Sequence, residues 1–356
     1  MWPYVQQWNL NLQHQFFGNT AVTAAYVGSK GTHLTDIRDL NQLHPVPSSA
    51  NPFQAGQPIT AANCAAGYPV NGTPATGQAL TNLEVACGAN STPFRPYLGY
   101  TDINFIEHNA NSTYHAFQLS ARRQFGGLDL SLAYTWSHSI DNSSDRYDGS
   151  LLNSYDLAGN KGSSNFDQTH VLNMSWVYNL SIFQHNGILG GWQWSGIMSA
   201  QTGTPFTVTN GVFGDSAGVA NGSGTGSRPD VVGDPNGSPT AVPAPSGTIV
   251  GPLLYNPGAF AQPQGLTFGT EGRNFLRNPG RWNFDMGLFK TFKITERQDI
   301  QFRAEGFNVF NHTQFSGVNS GAGCYVSSDP TCSSNFLRPS GAHLGRILQF
   351  GLKYEF

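Results

Sequence analysis

The chain has 356 residues, of which only 11% are charged and 12% are aromatic, and its formal net charge is −3. An ordinary soluble domain carries about 25% charged residues, and proteins that hold phosphate backbones are strongly basic, so the charge excludes a nucleic-acid partner. No run of about 18 apolar residues occurs, which excludes a membrane-spanning helix. The remaining class is an aromatic-rich, loop-rich, all-β chain.

Apolar and polar residues alternate along most of the chain, and helical periodicity is almost absent. Alternation indicates β-strands, because successive side chains of a strand point to opposite faces of a sheet. Each segment would present one apolar face and one polar or small face. In chain order, we predict strands over residues 7–16, 20–30, 114–125, 128–137, 172–180, 190–203, 282–289, 300–306 and 344–356.

Short and long connections between these strands alternate strictly. The short ones lie at 18–19, 126–127, about 181–189 and 294–296, and the long ones at about 31–112, 141–167, 204–280 and 311–342. Successive strands would run up and down, so every short turn lies at one end of the sheet and every long loop at the other. We expect an extra short strand at 101–108 and partial disorder in the Gly/Ser-rich run 221–227.

This arrangement is typical of an antiparallel transmembrane β-barrel, whose strands of about ten residues are apolar outside and polar inside. Short turns lie on the periplasmic side of such a barrel and long loops on the extracellular side. The alternative is a secreted or surface β-sandwich that binds glycans or mediates adhesion. Sandwich strands are nearer five or six residues, and long loops at one end only are rare in sandwiches, so the pattern favours the barrel.

The four cysteines fall in two pairs, Cys64 with Cys87 and Cys324 with Cys332, each within one polar loop. This even count predicts two local disulfides in an oxidising compartment, with unpaired thiols as the alternative. Neither pair has the C-x₂₋₄-C spacing of a zinc site. We therefore expect no metal and no cofactor.

One motif suggests catalysis: residues 214–218 (GDSAG) fit the G-x-S-x-G pattern of serine hydrolases. That chemistry needs a strand before the serine and a helix after it, whereas both flanks here are loop. A hydrolase acting through Ser216 is a third hypothesis, and we expect no catalytic residue and no enzyme. The ten histidines are scattered along the sequence. His138 and His170 lie near predicted strand ends, where an amphipathic ring suits the membrane interface, so we expect both there and not as metal ligands.

Charged residues are expected on both faces of the barrel. Arg303, Glu305 and Asp285 would face the interior, where opposite charges pair with each other or with a plug. Arg123 and Arg346 fall on the lipid face, and we expect both near an interface. Aromatic residues of the predicted loops would either contact a ligand or pack loop on loop; they are Tyr97, Tyr100, Tyr147, Tyr155, Phe213, Tyr255 and Phe260.

The last predicted strand is distinctive. Apolar residues recur at every second position up to the end of the chain: Leu348, Phe350, Leu352, Tyr354 and Phe356. The segment resembles the C-terminal strand of Gram-negative outer-membrane proteins, whose terminal aromatic residue is recognised by the barrel-assembly machinery.

Three further stretches sharpen the resemblance: residues 4–10 with 25–34, residues 134–141, and residues 303–312. Together they resemble the C-terminal barrel region of TonB-dependent receptors of the Oar-like group, over essentially the whole chain. The resemblance implies a transporter-like barrel surrounded by outer-membrane lipid, with an unidentified extracellular ligand. It also implies a TonB system that acts through N-terminal parts not seen in this sequence.

The family barrel has about 22 strands, preceded by a signal peptide, a TonB box and a plug domain, whereas we predict about nine or ten strands and none of those parts. A complete barrel of this type has an even strand number and both termini on the short-turn side. The first strand here would run downward, so one partner at least is missing. We therefore expect an incomplete barrel, the C-terminal portion of a larger receptor, that is not energised alone.

Overall fold

The computed structural model describes residues 2–17, 19–65, 69–70, 73–180, 190–221, 226–239, 251–323, 325 and 335–356. Nine long strands form one antiparallel sheet in which each strand pairs with the next along the chain. They are β1 (Tyr4–Phe16), β2 (Thr20–Asp39), β3 (Asn104–Phe125), β4 (Leu128–Asp141), β5 (His170–Asn179), β6 (Trp192–Gln201), β7 (Arg281–Lys293), β8 (Asp299–Phe307) and β9 (Ile347–Glu355). The predicted antiparallel, nearly all-β architecture is confirmed.

The remaining elements are short and lie in the long connections. Two helices, α1 (Ala61–Ala65) and α2 (Gly77–Ala86), follow β2. No helix in the described part of the chain is long and apolar enough to cross a membrane. The other elements are four 3₁₀ turns (Ser48–Ala50, Thr92–Phe94, Ala158–Asn160, Pro257–Ala259) and the short strands Pro69–Val70, Thr73–Pro74, Gly162–Ser163, Pro205–Phe206, Thr209–Asn210, Asp230–Val231, Phe260–Ala261, Leu276–Arg277, Phe315–Val318, Gly321–Ala322 and Pro339–Ala342.

The register of the sheet places most of the large apolar residues of the nine strands on one face. Partners on this outer face include Leu10 with Tyr26, Tyr26 with Phe117, Phe117 with Trp136, Leu132 with Met174, Met198 with Phe284, and Ala304 with Phe350. Phe350 is 70% exposed and Leu352 is 77% exposed. So large an exposed apolar surface marks contact with lipid or with another protein.

The opposite face of the sheet is mainly polar, although Val177, Ile197 and Phe289 also lie on it. The part of the chain that the structure describes has no second large sheet to cover the apolar face, so the β-sandwich alternative is wrong. A single sheet with an apolar outer face and a polar inner face is the arrangement of a membrane barrel wall. On β1 the inner-face residues are Gln7, Asn9, Asn11, Gln13 and Gln15.

Glycines allow a tight turn at one place in the sheet and a close side-chain contact at another. Gly126 and Gly127 join β3 to β4 with φ of +55° and +86°, and positive φ at both central residues suits the two-residue turn that matches strand twist. Gly196 lies opposite Trp176 on the outer face, where a Cβ would come within 2.3 Å of the indole. The glycine lets the ring lie flat over the neighbouring strand. The short connection predicted at 181–189 lies outside the described residues.

The strands β2 and β3 are longer than predicted, with 20 and 22 residues, whereas a tilted membrane strand needs about ten. Bulges let their pairing continue to Asp39 opposite Asn104, because a bulge absorbs an extra residue without ending the ladder. The structure therefore shortens the predicted loop 31–112 to 40–103. The separate strand predicted at 101–108 is instead the beginning of β3.

Four long loops follow β2, β4, β6 and β8 and so lie at one end of the sheet. We name them L1 (40–103), L2 (142–169), L3 (202–280) and L4 (308–346). Their bounds differ from the predicted ones by a few residues, except at L1. The short connections lie at the opposite end, so the alternation of short turns and long loops seen in the sequence is a separation in space.

The sheet does not close within the described residues. β1 pairs only with β2, and β9 pairs only with β8. Each outer edge therefore carries backbone N–H and C=O groups that no strand among the described residues pairs with. In hydrocarbon, each such group costs several kcal/mol, so the observed sheet is an incomplete barrel.

The assignment of faces predicts opposite outcomes for neighbouring substitutions in β4. We expect Leu132→Arg to reduce assembly strongly, because an arginine on the lipid face at mid-membrane costs about 2–4 kcal/mol. Ala133→Arg is the matched control, since Ala133 faces inward opposite Asn173. The measurement is the fraction of protein in the outer membrane that shows heat-modifiable gel mobility. Equal loss in both variants would contradict the assigned faces.

Candidate functional site

The hydrophobic core of this molecule lies in the long loops. L3 contributes to three buried clusters, two shared with L1 and one shared with L4. We call the packed loops L1 to L4 the loop assembly. Of the run predicted to be partly disordered, residues 222–225 lie outside the described part of the chain, as do residues 240–250 of the same loop, whereas other described residues of L3 pack into the buried clusters. The largest fully buried side chains of these clusters are Ile59, Leu83, Leu266, Val208, Phe260, Tyr325, Leu337 and Val219.

Arg95 joins L1 to the end of β2 and to L3. Its Nη1 donates to Asp39 Oδ2 (3.2 Å), and its Nη2 donates to Asp102 Oδ1 (2.7 Å). Nη2 also donates to the carbonyl oxygen of Ala220 in L3 (3.1 Å). The guanidinium and Asp39 are almost fully buried, and charge-assisted hydrogen bonds of this kind are the strongest available.

Arg273 makes the corresponding junction between L3 and L2. Its guanidinium is fully buried and pairs with the carboxylates of Asp141, at the end of β4, and Asp148 in L2. Its Nε donates to the carbonyl oxygen of Asn160 (2.9 Å). Because every partner comes from outside L3, this one side chain fixes L3 against L2 and the strand ends.

A third pair lies at the same level. Arg277 Nη2 donates to Asp167 Oδ2 (2.5 Å), and Asp167 also accepts from the backbone N–H of Ser139 (2.7 Å). His138 contacts the same carboxylate through Nδ1 (3.1 Å). His138 therefore belongs to the network between strand ends and loops, whereas His170 forms a hydrogen bond with the Tyr134 hydroxyl.

A disulfide links Cys64 to Cys87, with their Cα atoms 5.6 Å apart. It joins α1 to the end of α2 within L1, and both sulfur-bearing residues pack against the L1–L3 cluster. Such a crosslink constrains the unfolded chain and belongs to an oxidising compartment. Cys324 and Cys332 lie outside the described residues.

A polar cavity of about 270 Å³ lies between L2 and L3. Arg228 and Glu271 line it, and each is only 4% exposed. Burial raises the pKa of the Glu271 carboxyl to about 8, although the Val208 N–H hydrogen bond and the nearby Arg228 charge both lower it. Burial also lowers the pKa of Arg228 to about 10. The sequence did not predict this pair, because the two residues lie 43 positions apart in L3 and no sequence motif links them.

The G-x-S-x-G motif does not form a nucleophile elbow. Ser216 is 2% exposed and sits in a loop turn with no helix after it. The turn is held by Asp215, whose carboxylate accepts hydrogen bonds from the N–H groups of Val219 (3.2 Å) and Ala220 (2.6 Å). The motif is thus a structural loop. Among the described residues, no group of three His, Cys, Asp or Glu side chains could hold a metal ion.

Among the described residues, the charged side chains predicted to face the interior do not form ion pairs with each other, and pairing with a plug stays a prediction. Within the described structure, no ion pair joins Arg303 to Glu305; the Arg303 guanidinium lies 5.4 Å from the Phe289 ring centre. Asp285 accepts hydrogen bonds from Asn283 Nδ2 (2.7 Å) and the Asn308 N–H (2.9 Å). Adjacent same-face positions on one strand carry the two opposite charges, so neither faces the other across the ladder.

The two lipid-face arginines lie at opposite ends of the sheet. Arg123 is close to the end of β3, with its guanidinium 5.2 Å from the centre of the Phe125 ring. Arg346 precedes β9 on the loop side and donates to the Val309 carbonyl oxygen (3.3 Å). Both side chains can therefore reach a membrane interface, where an arginine costs little.

The loop aromatics divide into two groups. Phe260 is fully buried, the Tyr255 hydroxyl donates to the Arg277 carbonyl oxygen (2.5 Å), and Phe213 packs against the L1–L3 cluster. Tyr155 stacks on His44 with ring centres 4.1 Å apart. These rings hold loop to loop. Tyr97, Tyr100 and Tyr147 are more than half exposed and remain available to a ligand.

The Arg273 network predicts that one substitution loosens the whole loop assembly. We expect Arg273→Gln to destabilise the loops by about 3–5 kcal/mol, because it leaves Asp141 and Asp148 buried without their cation. Arg146→Gln is the control, since Arg146 is exposed in L2 and only covers the Tyr147 ring. Limited proteolysis of the loops across a urea series measures the difference. Similar protection of both variants would show that the buried pairs do not hold the assembly.

The raised pKa of Glu271 predicts a pH dependence of loop stability. The contribution of the protonated Glu271 carboxyl to loop stability is complete below pH 4.5, the ordinary pKa of a glutamate side chain. That contribution is lost as the pH rises through about 8. Over that window the wild type should lose up to about 1.4 kcal/mol per pH unit relative to Glu271→Gln. The same proteolysis assay at pH 5, 6.5 and 8 measures this difference. Parallel curves for the two proteins would contradict burial of the carboxyl.

Comparison with known proteins agrees with this architecture. The family model described as outer membrane beta barrel domain matches residues 1–349. The solved structures that align include the outer membrane transporter YddB from Escherichia coli, with 10% identity, a TM-score of 0.43, and coverage of 99% of this chain and 32% of that one. They also include the ferric-catecholate import receptor Fiu from E. coli K12 in its closed form, with 9% identity, a TM-score of 0.41, and coverage of 99% and 27%.

The chain spans about a third or less of the length of those two structures. No curated protein matches it. The family match, in contrast, extends over almost the whole chain and agrees with the single sheet, its apolar outer face and its one-sided long loops. This chain belongs to the outer membrane β-barrel domain family, and it is located in the outer membrane of Gram-negative bacteria.

Proposed function

We propose that this chain forms part of the wall and the extracellular loops of a TonB-dependent receptor-like transporter. The observation that carries the proposal is the loop assembly: four long loops at one end of a membrane sheet share buried clusters and buried ion pairs. Loops that merely connect strands need no such core. A fixed, folded surface outside the membrane is what an uptake receptor needs to capture a ligand.

The open edges support the view that the working barrel is larger. In the described part of the chain, β1 and β9 each lack a partner on one side, and the inner face of the sheet is mainly polar. Neither feature is compatible with lipid contact. We propose that further strands of the same receptor pair with both edges, and that a plug inside the barrel faces the polar surface and receives energy from the TonB system.

The C-terminal strand fits the same proposal. Leu348, Phe350, Leu352 and Tyr354 alternate on the outer face of β9, and all are at least half exposed. Phe356, which follows the strand, is 94% exposed. An exposed edge strand with an accessible aromatic end is a suitable signal for the barrel-assembly machinery, and we propose that it acts as one.

The proposal predicts the size of the native protein. An antibody raised against L3 should detect, in outer-membrane fractions of the source organism, a band much larger than the 38.4 kDa of this chain. The reason is that a barrel of about 22 strands with a plug needs far more chain than nine strands supply. A band at 38 kDa in that fraction would mean a small barrel or an oligomer. Signal only in soluble fractions would overturn the membrane assignment.

A further inference from the structure

A groove of about 570 Å³ lies on the outer face of the sheet, at the end where the long loops begin. One row of cross-strand partners from β4 to β7 lines it: Tyr134, Leu172, Ala200 and Trp282. Ala200 is the smallest side chain of the row, so it leaves a depression between Leu172 and Trp282. The row lies on the lipid-facing side of the sheet, and the depression therefore opens toward the membrane.

The depth of the groove in the membrane follows from the lengths of β5 and β6. Each strand has ten residues, which is about the length that a tilted strand needs to cross the hydrocarbon. β5 begins at His170 and β6 ends at Gln201, and both residues line the groove. The groove therefore lies where the hydrocarbon of the outer leaflet meets the lipid headgroups.

A fixed guanidinium from L3 lines the groove. Arg277 Nη2 donates to Asp167 Oδ2 (2.5 Å), and its Nη1 donates to the carbonyl oxygen of Gly203 (3.3 Å). The Arg277 side chain is 33% exposed, whereas the Asp167 side chain is 1% exposed. This ion pair therefore presents its cation to the surface and keeps its anion buried.

Two further side chains add hydrogen-bond donors. Arg281, the first residue of β7, lines the groove, is exposed, and forms no ion pair within the described residues. His170 is also exposed, and its Nδ1 forms a hydrogen bond with the Tyr134 hydroxyl (2.8 Å). Among the described residues that line the groove, none carries a carboxylate. The groove is therefore cationic at the headgroup level and apolar at the level of the acyl chains.

This combination matches the chemistry of a phosphorylated lipid. A guanidinium forms paired, charge-assisted hydrogen bonds with phosphate oxygens, and an acyl chain packs on the apolar row. A soluble anion has no acyl chain to use that row, and lipid covers this face of a membrane barrel. A lipid without phosphate would leave the cations without an anionic partner.

We propose that this groove binds the phosphorylated headgroup of an outer-leaflet lipid, with the phosphate held by Arg277 and Arg281. The first carbons of an acyl chain lie over Ala200, between Leu172 and Trp282. Because Arg277 belongs to L3, the bound lipid anchors that loop to the membrane surface. The inference depends on the outer-membrane location of the chain and not on the transport function proposed above.

The test is lipid binding to the full 356-residue chain in detergent, measured by native mass spectrometry. The probes are lipid A with two phosphates, the same lipid after both phosphates have been removed, and inorganic phosphate as a competitor. We expect one molecule of lipid A to bind per chain. The dephosphorylated lipid should bind about tenfold or more weakly, because it loses charge-assisted hydrogen bonds. Millimolar inorganic phosphate should not displace lipid A.

Two variants test the cationic and the apolar part of the groove separately. Arg281→Gln should weaken binding of lipid A about tenfold and leave binding of the dephosphorylated lipid unchanged. Ala200→Phe fills the depression with an apolar side chain, which suits a lipid-facing position, so the chain should fold normally and lose both lipids. Arg123→Gln is the matched control, because Arg123 lies on the same face at the opposite end of the sheet, and it should bind like the wild type.

Each contrary outcome overturns a definite part of the inference. Equal binding of both lipids would show that the groove holds acyl chains only, and displacement by inorganic phosphate would assign the cations to a soluble anion. Wild-type binding in both Arg281→Gln and Ala200→Phe would overturn the site, as would no lipid binding by a chain whose loops stay protected from proteolysis. The receptor proposal would stand in each case, because it is tested by membrane fractionation.

Discussion

Backbone hydrogen bonding in hydrocarbon is the constraint on which the rest of this structure depends. A membrane offers no water to an unpaired N–H or C=O, so each strand must pair along its length with a neighbour. Once strands are paired, the two-residue period of the side chains leaves one choice of register that keeps every apolar set on the lipid side. The cross-strand partners Leu10, Tyr26, Phe117 and Trp136 show that this register is kept from β1 to β4.

As a consequence of the same constraint, the hydrophobic core of the protein lies outside the sheet. A barrel wall meets lipid on one face and a polar interior on the other, so it has no place for a dry core. The buried clusters of this chain lie instead in the loop assembly. Buried arginines then fix the assembly to the strand ends, and Asp39 and Asp141 supply the anchoring carboxylates at the ends of β2 and β4.

The sheet was predictable from the sequence because the alternation of apolar and polar residues within each strand indicates which face of that strand meets lipid. The strand order, the Gly126-Gly127 turn and the position of the long loops followed from that pattern. The length of β2 and β3 did not, because the bulges after Gly31 depend on pairing between distant residues. The Arg228–Glu271 cavity could not be predicted from the sequence either, since only the packing of L2 against L3 brings those residues together.

The sheet and the loop assembly differ in whether they are complete within the described residues. Within the described residues both edges of the sheet are open, and in the proposed receptor further strands would pair with them. The loop assembly has hydrophobic clusters and ion pairs of its own, and L3, which leaves the sheet between β6 and β7, contacts both L1 and L4. A receptor built this way can concentrate recognition on one arc of its rim while the rest of the wall closes the barrel. In the receptor that we propose, the loop assembly would set ligand specificity, and strands outside this sheet would set the size of the barrel.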